Sequence, residues 1–272
     1  MTPVAGVEAA ALAAAAYASL VEPYWLRAVT YTVHRPEWPA GLDGLTIVHL
    51  SDLHGRTTLW NRAWARAWLQ AADLVAVTGD LYSLTIPRPR LAARLGNLPP
   101  ATTRLVTGNH DYRRGRVAID PWSPAPGVLI DNRWEMRTLR GEPWIVAGIP
   151  DLVMGDPDWG AFDDMPEDVP AVLLSHRPDA VLADGAGRFG LVLSGHTHGG
   201  QVALPAFGPI LLHSHLPRGS TAGSVERPSQ TLVISRGLGT SELPVRFWCR
   251  PEVIRVIVRT STSEGTRSGH AE

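Results

Sequence analysis

The 272-residue sequence predicts an α/β fold, a four-layer α/β/β/α sandwich in which two mixed β-sheets stack face to face with helices outside. Three observations predict it. Short apolar runs that each stop in polar residues recur along the chain, the first three of them alternate with segments of helical character, and the later ones follow one another with few helices between. Alternating strands and helices imply right-handed crossovers and a mostly parallel first sheet whose loops collect at the carboxyl ends of the strands. The second half suits a more antiparallel sheet stacked on the first.

Val4 to Val21 is almost entirely small or apolar and near the minimum length for a membrane span. Glu8 lies inside it, its apolar residues are mostly Ala, and no Lys or Arg precedes it. An Ala-rich helix lying on the body or on a membrane surface is therefore the first reading and a true span the second. Residues 1–40 are read as this helix and a linker punctuated by Pro36 and Pro39, residues 41–259 as the main domain, and residues 260–272, rich in Ser, Thr, Gly and charge, as a flexible tail. Within the domain, Leu45 to Leu50 runs into Ser51, Asp52, Leu53 and His54. Leu74 to Thr78 runs into Gly79 and Asp80, and Arg104 to Thr107 into Gly108, Asn109, His110 and Asp111. Helices are expected over Asn61 to Ala72 and Pro89 to Leu98. Later strands are expected over Trp144 to Ile149, Ala171 to Leu174, Leu191 to Leu193, Ile210 to His213, Thr231 to Ser235 and Val253 to Val258.

Charge excludes some functions. With 25 basic and 26 acidic residues the chain has no global field for a long nucleic acid. Every basic residue is Arg, so no lysine takes part in catalysis. The single cysteine, Cys249, cannot form an internal disulfide, and a reducing cytoplasm is the simpler home.

The strand ends carry the chemistry. Asp52, His54, Asp80, Asn109, His110, Asp111, His176, His196 and His198 are the oxygen and nitrogen donors of a mixed metal site. Two divalent ions about 3.5–4 Å apart need roughly seven protein groups, one of them a carboxylate able to bridge. Asp52 and His54, like His196 and His198, are one residue apart, and in extended backbone each pair points to one side. Gly79, Gly108, Gly195, Gly199 and Gly200 suit tight turns around such a site. One histidine at a strand end is commonly structural, as His49 within its strand is taken to be; Asp and His at successive strand ends are not.

The ordered elements Asp52-Leu53-His54, Gly79-Asp80, Gly108-Asn109-His110-Asp111, His176 and Gly195-His196-Thr197-His198 resemble the signature of the calcineurin-like metallophosphoesterase superfamily. The resemblance implies a dinuclear site. Asp52, His54, Asp80 and His198 would bind one divalent ion, and Asp80, Asn109, His176 and His196 the other, with manganese as the first candidate and iron or zinc as the alternatives. A hydroxide between the ions would attack phosphorus, His110 would protonate the leaving oxygen, and Asp111 would orient His110. Two C-terminal stretches, His198-Gly199-Gly200-Gln201 and Ser235-Arg236-Gly237-Leu238-Gly239-Thr240, together with Pro251-Glu252-Val253, resemble a bacterial branch with membrane-associated phosphodiesterases and UDP-2,3-diacylglucosamine pyrophosphatases. Cleavage of a phosphodiester or pyrophosphate in a small-molecule or lipid-linked ester, at a cytoplasmic site in contact with a membrane, is the implied function. A nucleotide or cyclic-nucleotide phosphodiesterase is the alternative, and a non-catalytic scaffold the remote one. A protein phosphatase is disfavoured, because Leu81-Tyr82-Ser83 follows Asp80 and Thr107 precedes Gly108 where such relatives carry arginines.

Weaker signals complete the reading. Trp60, Trp64 and Trp68 form a helical stripe expected to pack on the sheet, with an acyl chain as the other partner. Arg113, Arg114 and Arg116 could grip a second phosphate or line a solvated loop. His213 and His215 are read as surface residues that could border the pocket.

Overall fold

The computed structural model describes residues 3–55, 62–82, 98–113, 116–117, 127–241 and 243–261. Among the described residues the α-helices are α1 (Pro3–Leu20) and α2 (Ala63–Ala71). The strands open with β1 (Arg27–His34), β2 (Thr46–Leu50), β3 (Leu74–Thr78), β4 (Thr103–Val106), β5 (Tyr112–Arg113), β6 (Arg116–Val117), β7 (Val128–Leu129) and β8 (Arg133–Leu139). They continue with β9 (Glu142–Ile149), β10 (Ala171–Ser175), β11 (Leu191–Ser194), β12 (Ala203–Leu204), β13 (Gly208–Pro209), β14 (Gly223–Arg227), β15 (Gln230–Ile234) and β16 (Glu252–Arg259). One six-stranded sheet has the order β1-β16-β2-β3-β4-β7 and the other β14-β15-β11-β10-β9-β8; β5–β6 and β12–β13 are small ribbons.

Three apolar layers hold the two sheets. Ile47, Leu74, Ala76, Val106, Trp144, Val146, Val172, Leu174, Leu191 and Val256 fill the space between them. On the outer face of the first sheet, Val48, Leu50, Val75, Val77 and Leu105 meet Ala65 and Leu69 of α2. Successive residues of β2 and β3 therefore face opposite sides although all are apolar, because a strand covered on both faces loses the polar half of its alternation. Trp64 and Trp68 pack against this outer layer with ring centroids 5.2 Å apart, as core packing predicts; Trp60 lies outside the described residues.

The second sheet departs from expectation. Its four central strands, β9, β10, β11 and β15, are parallel, and only the edge strands β8 and β14 are antiparallel. The 3₁₀ turns Trp159–Phe162, Pro178–Leu182 and Asp184–Arg188 take the place of α-helices here. Phe162, Ala180, Val181 and Phe189 cover Ile145, Leu173 and Val192 on that face. Turns this short carry no helical periodicity, which is why the sequence read as strands in succession. Ile210 to His213 is not a strand. Its apolar residues are exposed, the strand pairing ends at Gly208–Pro209, and beyond it the Ile210 N–H donates to Val202 O at 3.0 Å.

The stretch read as a linker contains β1, which lies parallel to β16 along its whole length, from Arg27 beside Glu252 to His34 beside Arg259. Helix α1 does not lie on the body. It is anchored through its carboxyl end, where the Arg246 backbone N–H donates to the Ala18 carbonyl at 2.8 Å and the Tyr17 ring meets Phe247 edge-on at 6.3 Å. The helix expected over Pro89 to Leu98 and the tail from residue 262 fall outside the described residues, except for Leu98, which is buried.

Candidate metal centre

The loops after β2, β3 and β11 do not continue in extended form. Asp52, His54, Asp80, His196 and His198 all have left-handed backbones, with φ between 42° and 68°. This conformation costs an L-residue about 1–2 kcal/mol and persists where surrounding contacts impose it. Asp52 and His54 thus converge through consecutive tight turns and not through the alternation of a strand. Backbone bonds impose the shape: Asp52 N–H donates to Gly79 O at 3.0 Å, His54 N–H to Asp80 O at 2.9 Å, and Gly239 N–H to Asp52 O at 2.6 Å. Gly195 admits the crossing, since a Cβ there would stand 1.8 Å from Ser51 Oγ and 2.3 Å from Asp52 Oδ2.

These turns gather two donor sets. Asp52, His54, Asp80 and His198, all buried, offer ligand atoms within 4.8 Å of one another. His54 Nε2 is 3.2 Å from His198 Nε2, and His198 Nε2 is 3.3 Å from Asp52 Oδ1. In the second set His176 Nε2 lies 3.1 Å from Asn109 Oδ1 and 3.1 Å from His196 Nδ1. One atom joins the sets: Asp80 Oδ2 is 3.5 Å from His54 Nε2 and 3.4 Å from His176 Nε2. The other oxygen, Oδ1, accepts the His110 backbone N–H at 2.8 Å. The half-buried His110 ring stands edge-on to His54 with centroids 4.9 Å apart.

The electrostatics suit cations. Burial pulls the pKa of His54 down to about 4 and of His196 to about 2, and burial with neighbouring His54 holds His198 well below its usual value. These rings are neutral, so their lone pairs are open to a metal without displacement of a proton. Burial raises Asp52 to about 6, whereas at Asp80 the nearby His176 and His54 outweigh burial and keep the carboxyl far below its usual range. Burial also opposes charge on His176, but Asp80 outweighs it and lifts that ring to about 10. Buried carboxylates need hydrogen-bond donors or positive charge beside them. A proton on His176 partly fills that need here, and the donor set fits divalent ions that would fill it better.

Asp111 has a different task from the one expected. Its Oδ2 accepts the backbone N–H groups of Asp80 at 2.8 Å and Gly108 at 2.9 Å, and its Oδ1 those of Leu81 at 2.9 Å and Tyr82 at 3.2 Å. The carboxylate clamps the Asp80 loop to the Asn109 loop and does not orient the His110 ring. Asp111→Asn turns an amide N–H₂ toward these donors. It is expected to weaken metal affinity and lower stability by about 3 kcal/mol, read by metal titration and thermal melting.

Other groups emerge only in three dimensions. Arg177 Nη1 lies 2.8 Å from His196 Nε2, and its Nε donates to Asp151 at 2.7 Å. Fully buried Arg246 donates to the carbonyls of Arg236, Gly239 and Cys249, behind His198. The exposed His213 ring stands 5.9 Å from that of His196, so it does border the site; His215 is exposed, its backbone N–H donating to Asp179. Arg177 had a sequence signal, a cation directly following a donor histidine. Arg246 had none. His49 is buried and bonded through Nε2 to Thr78 Oγ1 at 2.8 Å, a structural role. Arg114 and the side chains of Arg113 and Arg116 lie outside the described residues.

Comparison with known proteins gives consistent matches. A family model described as calcineurin-like phosphoesterase matches residues 45–200. An uncharacterized metallophosphoesterase of Bacillus subtilis, YkuE, is 32% identical over 257 residues, covering 87% of this chain and 87% of its own. A Danio rerio protein described as a transmembrane protein with metallophosphoesterase domain is 31% identical over 246 residues, covering 81% of this chain but only 54% of its own length. The solved NAD nucleotidase of Haemophilus influenzae aligns with a TM-score of 0.48 at 13% identity, over 71% of this chain and 45% of its own.

Proposed function

Because the chain belongs to the calcineurin-like phosphoesterase family and is a metal-dependent phosphoester hydrolase, we propose that it cleaves a phosphodiester or pyrophosphate bond at a dinuclear centre. The observation that carries this reading is the single oxygen, Asp80 Oδ2, shared by both donor sets at 3.5 and 3.4 Å. Asp52, His54, Asp80 and His198 would hold one divalent ion and Asp80, Asn109, His176 and His196 the other. When bound, such ions supply an activated water and neutralise charge on the phosphoryl oxygens. Manganese is the first candidate, since Asp, Asn and His without Cys suit manganese, iron or zinc.

The remaining chemistry belongs to the chain. His110 stands at the edge of the cluster, fixed through its backbone N–H on Asp80, and delivers a proton to the leaving oxygen. Two observations favour a diester over a monoester. Arg177 is paired with Asp151 at 2.7 Å, and Arg246 is enclosed by carbonyls. Among the described residues neither guanidinium near the centre is free to meet the second charge of a monoester. The nucleotide-linked lipid implied by the C-terminal stretches, UDP-2,3-diacylglucosamine, is the narrowest form of this proposal and rests on those stretches alone. An apolar helix long enough to cross a membrane by length and composition precedes the domain, and it supports a membrane-associated location.

Metal-stripped protein refilled with manganese is expected to cleave bis-p-nitrophenyl phosphate faster than p-nitrophenyl phosphate, and to cleave neither before refilling. A preference for the monoester would overturn the diester reading. No turnover with no bound metal by mass spectrometry would favour the scaffold.

A further inference from the structure

Beside the metal loops the surface is apolar and exposed. Phe207 is 81% exposed at the tip between β12 and β13, followed by Ile210 and Leu211; Leu243 and Trp248 are 66% and 67% exposed. These side chains are scattered in sequence but rise from one continuous backbone surface. Ala203 N–H donates to Phe247 O at 2.8 Å, the Gln201 side chain donates to Leu243 O at 3.0 Å, and Arg246 N–H reaches Ala18 at the end of α1. The Glu22 carboxylate accepts the backbone N–H groups of Trp248 and Cys249, so the carboxyl end of α1 is fastened to the same ledge. The metal site adjoins it: Gly200 packs on Pro209, and His213 follows Leu212 beside His196.

We propose that this ledge, formed by the β12–β13 tip, Leu243 and Trp248 together with α1, docks on a lipid bilayer and presents the metal site to phosphate esters at the headgroup layer. Three features select lipid over a protein groove. A helix that docks in a groove shows one apolar stripe, whereas α1 is apolar on every side apart from Glu8, and the span that begins at Ala5 is only 11% buried. At about 27 Å, α1 also comes close to the thickness of the hydrocarbon layer. Its carboxyl end carries Tyr24 and Trp25, both exposed, with the Arg250 guanidinium 4.0 Å over the Trp25 ring, the aromatic and basic residues that favour a headgroup interface. Residues 201–220 contain no Asp or Glu to repel anionic lipid and include Arg218, while the Leu243 segment carries the acidic Glu242 next to it in sequence. The β12–β13 tip with Leu243 and Trp248 thus adds a second contact beside that of α1. Only the delivery of substrate rests on the diesterase reading; docking itself is measured without turnover.

The test is flotation of the full-length protein with vesicles of phosphatidylcholine, with and without phosphatidylglycerol. The wild type is expected to float with both, more strongly with the anionic lipid. Phe207→Ser with Leu243→Ser is expected to lower partitioning about tenfold or more while turnover of bis-p-nitrophenyl phosphate is unchanged. As a check that needs no loss of binding, Phe207→Cys labelled with a polarity-sensitive dye is expected to shift to the blue on adding vesicles; the native Cys249 is buried and unlabelled. Equal flotation of wild type and double variant, or a label that stays in water, would overturn the proposal. So would a dimer in vesicle-free solution that the same two substitutions dissolve, because a second copy would then cover the ledge.

Discussion

Asp80→Ala is expected to abolish hydrolysis, with kcat/KM falling about four orders of magnitude or more, equivalent to about 5.5 kcal/mol of transition-state stabilisation. The reason is its double membership. Removal of any other donor thins one set, but removal of Asp80 takes an oxygen from both and breaks the bond that fixes His110 through its backbone. Metal content by mass spectrometry is expected to fall toward zero together with turnover of bis-p-nitrophenyl phosphate. In the metal-free protein the His176 ring also loses its main counter-charge, so its proton should leave at lower pH, visible in the NMR titration of that ring. Retained turnover with both metals bound would show that Asp80 is not the bridge.

His110→Ala carries the second largest effect and the opposite signature. General acid catalysis contributes roughly 10²–10⁴-fold, and the loss should depend on the leaving group. An alkoxide needs the proton and should show the full loss, while p-nitrophenolate departs without it and should show little. Metal content should remain that of the wild type, because the His110 ring lies beside the donor sets and belongs to neither. An equal loss with both leaving groups would remove His110 from proton transfer and leave it a positioning residue.

Much of this was legible in the sequence because strand ends are legible. The apolar runs of β2, β3 and β4 stop two or three residues before Asp52, Asp80 and Asn109, and parallel topology brings consecutive strand ends to one edge. The convergence was read correctly but for the wrong local reason: alternation in a strand was expected, and left-handed turns accomplish it. Asp111 was misread because a carboxylate beside an imidazole suggests a pair, whereas its backbone partners come from a loop some 30 residues earlier. Arg246 was invisible because its partners are carbonyls, which every residue has. β1 was missed because its alternating run sits among prolines and follows a helix, and its partner β16 lies more than 200 residues later in the sequence.

That last pairing has a consequence for how the molecule is made. β16 lies between β1 and β2, antiparallel to β2 and parallel to β1, so the sheet that carries Asp52 and Asp80 has a gap until residues 252–259 exist. At a translation rate of roughly 5–20 residues per second, the open edge of β2 waits on the order of 10–40 s for its neighbour. During that interval an unpaired strand edge and the exposed apolar α1 emerge together from the ribosome, the two features most prone to capture by other chains. The sheet that carries the metal loops is therefore completed only once β16 has been made, and a chain that stops before it keeps the edge of β2 open.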